Sequence, residues 1–184
     1  MQIVVVKNYK ARYPELKGRA LTDRLILDLL GEEAQVIRSD EGKPSICWEK
    51  NQTPPFVSVS HCEDYFACVF DGENIGIDIQ NERQVNIEKI SRRYYAPAEQ
   101  DFAADDPERF FTVWARKEAF AKYTGRGIAQ INRSVDVFGR DDVGFWDITM
   151  LGDYHHAFRK LRSVRFSPAS SLPSCRQRTV PCFP

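Results

Sequence analysis

Two spacings of apolar residues organise the first 150 or so positions of this chain. Leu21, Leu25 and Leu29 recur every four residues, which predicts a helix from about Pro14 to Leu30 with Gly31 as its stop. Further helices are predicted from Asn86 to Tyr95, from Pro97 to Ala104 and from Pro107 to about Tyr123, the last closed by Gly125 and Gly127. Strands are predicted at IVVV (Ile3 to Val6) and at FVSVS (Phe56 to Ser60), where Ser58 and Ser60 alternate with Val57 and Val59. EGKP (Glu41 to Pro44) supplies turn residues. FACVF (Phe66 to Phe70), the turn-rich DGEN and IGIDI (Ile75 to Ile79) read as an antiparallel hairpin. SVDVF (Ser134 to Phe138) and FWDITML (Phe145 to Leu151) around GRDDVG read as a second. Each half therefore mixes helices with antiparallel strands, an α+β pattern without a short-period repeat.

Composition bounds this reading without redirecting it. At 184 residues and 21.2 kDa the chain makes one large domain or two half-domains, with length enough for a core. The apolar run at Ile3 to Val6 is far short of a spanning helix, and Lys7 and Lys10 follow it without a small-residue cleavage site; a cytoplasmic protein is expected. The five cysteines include no C-x-x-C pair, so neither a disulfide framework nor a zinc site is suggested. Charge balances at 26 basic and 26 acidic residues, but unevenly: after Asp153 there is no acid, while Arg159, Lys160, Arg162, Arg165, Arg176 and Arg178 all follow. From about Ser167 the SPASSLPS composition no longer resembles a packed element, so residues 167–184 are expected to form an atypical, basic tail.

Candidate chemistry starts at IGIDIQ. Residues two apart on a strand face the same way, so Asp78 and Gln80 present two oxygen-bearing side chains together, with Ile77 and Ile79 on the other face. Alone, this is what an ordinary half-exposed hairpin shows. WARKEAFAK (Trp114 to Lys122) weighs against that. Glu118 falls four residues after Trp114 and seven after Phe111, on the side of the helix that offers aromatic burial. Lys122, four residues further, permits a simple helix-face ion pair with Glu118; the alternative is a divalent cation shared by Asp78 and Glu118. A third group is polar and basic: Arg19, Lys43, Ser60 and His61, which with Lys117 and Lys122 would suit a ligand carrying several phosphates. Taken singly, each is an ordinary surface residue.

These motifs together resemble the 4′-phosphopantetheinyl transferases, in particular the double-length, surfactin-synthetase-activating type and its W/KEA branch. The resemblance rests on GKP, on SVSHC (Ser58 to Cys62), on FACVFDGENIGIDIQ and on W-x-x-K-E-A-x-x-K, in order and at matching separations over residues 1 to 150. It implies two similar, pseudo-two-fold-related α+β subdomains, here 1–73 and 74–166, with coenzyme A in the cleft between them. It implies transfer of the phosphopantetheine arm of coenzyme A to a serine of an apo acyl or peptidyl carrier protein, leaving adenosine 3′,5′-bisphosphate. Asp78 and Glu118 would hold Mg²⁺, with Gln80 in the place of a third acidic ligand. Lys122 would steady the phosphates, Arg19, Lys43, Ser60 and His61 would grip those of the nucleotide, and Glu118 would take the serine proton. One chain would suffice, as a monomer, with no role for nucleic acid or membrane.

Two departures stand out. Gln80 occupies a position where many members have glutamate, and the family's closing strands are represented by FRKLRSVRF running straight into the tail. A magnesium-dependent phosphatase or nuclease would use a similar inventory but calls for more clustered acids than the sequence offers. A binding protein without catalysis is the other alternative.

Overall fold

The computed structural model describes residues 1–31, 33–48, 53–81, 83–127, 129, 131–140, 142–150, 159–166 and 176–177. The first sheet has the order β4-β5-β1-β9, with β1 at Gln2–Lys7, β4 at Phe56–Cys62, β5 at Tyr65–Asp71 and the short β9 at Arg176–Gln177. β5 runs antiparallel to both β1 and β4, and β9 lies parallel to β1. Alternation gives this sheet two apolar faces. Val4, Val6, Phe66, Cys68 and Phe70 point to one side, where α2 (Gly18–Leu30) lays Leu21, Leu25 and Ile26 on them. Ala34 and Ile46 complete that core from a hairpin of β2 (Ala34–Arg38) and β3 (Pro44–Trp48). Between β1 and α2 sits a single helical turn, α1, at Tyr9–Arg12.

The opposite face of the first sheet, Ile3, Ala67 and Val69, packs on Ile75, Ile77 and Ile79 of β6 (Ile75–Gln80). β6 begins a second sheet of order β6-β8-β7, in which β7 is Val143–Met150 and β8 is Arg159–Phe166. Three helices follow β6: α3 (Ile87–Tyr94), α4 (Pro97–Ala103) and α5 (Pro107–Thr124). Asp106 caps α5 by accepting from Arg109 N at 3.1 Å, Pro107 opens its first turn, and Gly125 ends it in the left-handed region at φ 72°. Phe110, Phe111 and Val113 of α5 build a core with Tyr95, Ala103 and Val137.

The backbone of α5 lies directly on β6. A Cβ added to Gly76 would come within 2.1 Å of Ala119 O and 2.6 Å of Tyr123 N, so the two elements meet where only glycine fits. Asp78 and Gln80 share the face of Gly76 and are thereby turned toward the same helix.

The α+β architecture with small antiparallel sheets agrees with the sequence. Two expectations are corrected. FACVF and IGIDI do not pair as a hairpin; they belong to different sheets. IGIDIQ has two faces to bury, isoleucines on the first sheet and Gly76, Asp78 and Gln80 on α5, so the strand stacks across the first sheet instead of extending it. SVDVF is not a strand either. Its backbone polar groups are taken by side chains, Val137 N by Glu99 and Val135 O by Lys117, which leaves none of these for a ladder. The α2 helix starts at Gly18, later than Pro14. Arg159–Phe166, within FRKLRSVRF, forms the middle strand β8 of the second sheet. Of residues 167–184 only Arg176–Gln177 is described; the rest of the expected tail, with Cys175 and Cys182, lies outside the described residues.

Candidate active site

The seam between the sheets builds the site. Ser58 and Ser60 of β4 aim their hydroxyls at the open edge of β6, where Oγ accepts from Ile77 N at 3.1 Å and from Ile79 N at 3.3 Å respectively. The alternation of FVSVS thus supplies polar acceptors at a sheet junction that would otherwise leave buried N–H groups unpaired. Ser60 Oγ also donates to Asp78 Oδ1 at 2.9 Å. Lys122 Nζ, arriving from the last turn of α5, donates to Asp78 Oδ1 at 2.6 Å and to Ser60 Oγ at 2.8 Å. Gln80 Nε2 donates to Asp78 Oδ2 at 2.8 Å. Asp78 is only 1% exposed, and both of its oxygens are engaged.

Glu118 completes the cluster. One turn before Lys122 on α5, it is buried beside the Asp78 carboxyl and Trp114. Burial first, and then the Asp78 charge, push its carboxyl up to about 7, against the opposing pull of Lys122 and Trp114. Two neighbouring carboxyl groups with one ammonium between their charges, paired at 2.6 Å with Asp78, are short of positive charge. A divalent cation is what this donor set can take up: two carboxylate side chains and the amide of Gln80, whose oxygen becomes available once the amide turns over. Among the described residues no three His, Cys, Asp or Glu side chains converge as a metal cluster.

An open cleft of about 730 Å³ runs along this cluster, lined by Asp78, Gln80, Glu118 and Lys122 and, from the first half of the chain, by Arg19, Ser60 and His61. His61 packs against Tyr9 with ring centroids 5.9 Å apart, and burial, Lys122 and Lys10 pull its pKa down against the influence of Asp78. A smaller pocket of about 260 Å³ continues past Glu118 and Lys122 to the GKP turn.

Seven of the nine residues singled out from the sequence, Arg19, Ser60, His61, Asp78, Gln80, Glu118 and Lys122, line the large cleft. Lys43 lines the smaller pocket but is committed elsewhere: Nζ donates to Asn74 Oδ1 at 2.6 Å and to Tyr123 O at 2.7 Å, tying the GKP turn to the end of α5. Burial lowers its pKa to about 8. Lys117 is not brought to the cleft at all. Its side chain is fully buried in an ion pair with Glu99 at 2.8 Å, on another side of α5. The expectation of a phosphate contact there fails because successive helical residues point about 100° apart, so Lys117 and Glu118 cannot both face Asp78.

Arg38 is a cleft residue that sequence reading passed over. It lines both cavities, and its guanidinium is held by Asp23, by Thr22 Oγ1 at 2.9 Å and by Gly42 O at 2.7 Å. Its place at the end of β2, in register with Pro44 of GKP, is the one signal that could have drawn attention to it.

The family model of the 4′-phosphopantetheinyl transferase superfamily matches residues 74–166, just over half of the chain. The chain belongs to the 4′-phosphopantetheinyl transferase superfamily. Within that superfamily it is 29% identical over 121 residues to 4′-phosphopantetheinyl transferase Sfp of Bacillus subtilis (strain 168), covering 59% of this chain and 52% of that protein. It is 34% identical over 102 residues to 4′-phosphopantetheinyl transferase psf-1 of Bacillus pumilus, covering 52% and 42%. To 4′-phosphopantetheinyl transferase HetI of a Nostoc species it is 27% identical over 124 residues, covering 62% and 52%. The chain thus spans about half the length of these curated relatives. The family match begins at Asn74 and takes in Asp78, Gln80, Glu118 and Lys122. Among the described residues, no helix is long and apolar enough to cross a membrane.

Proposed function

We propose that this chain transfers the 4′-phosphopantetheine arm of coenzyme A to a serine hydroxyl of an apo acyl or peptidyl carrier protein. The observation that carries this reading is the meeting of Asp78, Glu118 and Lys122 at the wall of an open cleft, in a chain of this superfamily. The names of the relatives support it. We take residues 1–73 and 74–166 as the two halves that frame the cleft in a cytoplasmic monomer, with no nucleic acid or membrane involved.

Asp78 and Glu118, with Gln80, are the residues that would hold Mg²⁺, and Lys122, Arg19, Ser60 and His61 line the cleft as cationic or polar partners for phosphate. When bound, the ion neutralises charge on the pyrophosphate oxygens and so eases attack at phosphorus. The chain's own groups do the remaining work. Glu118, a carboxylate at the wall of the cleft, is placed to accept the serine proton as the serine oxygen bonds to the pantetheine-side phosphorus. The bond from that phosphorus to the bridging oxygen breaks, and adenosine 3′,5′-bisphosphate leaves with the electron pair. Lys122, held by Asp78 and Ser60, stabilises the charge that develops on the phosphate oxygens. The direct test is incubation with coenzyme A, Mg²⁺ and a panel of apo carrier proteins, read by mass spectrometry. The expected result is a phosphopantetheine adduct on at least one carrier; no adduct on any overturns the reading.

The proposed metal site carries a pH signature. Glu118 has its pKa raised in the fold from 4.5 to about 7, so the folded state binds its proton more tightly than the unfolded chain does. The resulting stability is complete below the unfolded value and is lost as pH rises through the folded one. Above about pH 7 the ion-free protein therefore carries an unrelieved carboxylate pair, which Mg²⁺ would relieve. Millimolar Mg²⁺ is expected to raise the melting temperature clearly at about pH 8 and much less at about pH 5.5, where it competes with protons. Equal shifts at both values in a thermal melt would remove Glu118 from the ligand set.

A further inference from the structure

Glu99 and Lys117 lie outside the cleft and do not touch the groups that line it. Their ion pair is completely buried on both sides, and its polar atoms are fully occupied. Glu99 Oε2 accepts from Lys117 Nζ and from Ala96 N at 2.7 Å, while Oε1 accepts from Val137 N at 2.7 Å. Lys117 Nζ also donates to Val135 O and to Asn132 O, the latter at 3.3 Å. One node thus joins the start of α4, the middle of α5 and the loop at 132–137. Well-packed apolar side chains would stabilise such a junction as well or better, since burying two charges costs much of what their attraction returns. What apolar packing lacks is direction. Hydrogen bonds of fixed length and angle set the roll and height of α5 in a way that interdigitating methyl groups do not.

Lys117 is the residue before Glu118, about 100° away around the same helix. The roll that keeps Lys117 on Glu99 is the roll that turns Glu118 onto Asp78 and, one turn later, Lys122 onto Asp78 and Ser60. We propose that Glu99 and Lys117 are a positioning pair that sets the roll of α5 and so places Glu118 and Lys122 for phosphopantetheine transfer. As a statement about transfer, this rests on the proposed function.

The test replaces both charges together, Glu99→Gln with Lys117→Met, so that no uncompensated ion remains buried. In the folded variant kcat is expected to fall by at least about 10-fold, while KM for coenzyme A changes less, because Glu118 and Lys122 on α5 are misaligned while Arg19 and His61, which lie outside α5, are untouched. An independent readout needs no activity. Trp114 lies beside Glu118, one turn earlier on α5, so its indole N–H resonance, identified by its loss in Trp114→Phe, is expected to move in the double variant. If the double variant does not fold, Lys117→Arg keeps the charge but adds length, and the same displacement of the Trp114 resonance and fall in kcat are expected. An unmoved Trp114 resonance, or wild-type kcat per folded molecule, overturns the positioning role. A wild-type protein that transfers nothing to any carrier overturns the function itself, a different result from an active wild type with an equally active variant.

Discussion

Asp78→Asn is expected to lower the rate of transfer by about 10²–10³-fold, with the melting temperature changed by only a few degrees. The substitution preserves shape and one acceptor oxygen, so Ser60 keeps a partner and the seam between the sheets survives. Two things change. Lys122 loses the carboxylate that holds it at 2.6 Å, and the new amide nitrogen, where it faces Gln80 Nε2, sets donor against donor. Glu118 is also relieved of its charged neighbour, the second-largest cause of its raised pKa, so that pKa falls. The residual activity should then show its acid limb at lower pH than the wild type, because a weaker base is ionised earlier. Steady-state kinetics on a carrier that accepts the arm, at several pH values, checks both statements. An unchanged rate would exclude Asp78 from the reacting cluster, and a lower rate with an unmoved acid limb would mean that Glu118 is not the group that titrates.

How much of this was legible beforehand depends on the range of the physics involved. Asp78 and Gln80 could be placed on one face of a strand because strand geometry is local, and Glu118 and Lys122 on one helical side for the same reason. Local geometry could equally have removed Lys117 from the set, since it cannot share a face with Glu118; its charge and its place in the motif suggested otherwise. The pairing of β6 could not be read locally. A four-residue turn between two apolar runs ordinarily means a hairpin, and what draws IGIDIQ away is its two buried faces together with β8, whose register partner for Asp78 is Arg162, more than 80 residues onward. Lys43 and Arg38 illustrate a different gap. Both are cations beside the GKP turn, and only the fold reveals that one is spent on Asn74 and the end of α5 and the other on Asp23, Thr22 and Gly42. Residue type announces a possible phosphate contact, whereas the partners already in place decide how the charge is used.

Gly76→Ala is expected to be the most damaging glycine-to-alanine change among the glycines whose surroundings the structure describes. A Cβ at that position meets Ala119 O at 2.1 Å and Tyr123 N at 2.6 Å, and both atoms belong to the backbone of α5. A side chain in the way could rotate aside; a helix backbone cannot, so α5 must move off β6 by roughly 1 Å or more to reach ordinary contact distance. Overpacking of this kind costs about 1–3 kcal/mol where side chains can yield, and the rigid case belongs at or above about 3 kcal/mol. The displacement also carries Glu118 and Lys122 away from Asp78, and a misplacement of about 1 Å can cost about 10²-fold in rate. The variant should therefore lose transfer activity even in its folded fraction, beyond what a urea titration accounts for. Gly72→Ala is the matched control, because nothing lies within 4 Å of a Cβ built there. It is expected to unfold within about 0.5 kcal/mol of the wild type and to keep its activity. Should the two variants share a denaturation midpoint, β6 and α5 are not held at the separation that brings Asp78 and Glu118 into contact, and the glycine of IGIDIQ would have no part in assembling the site.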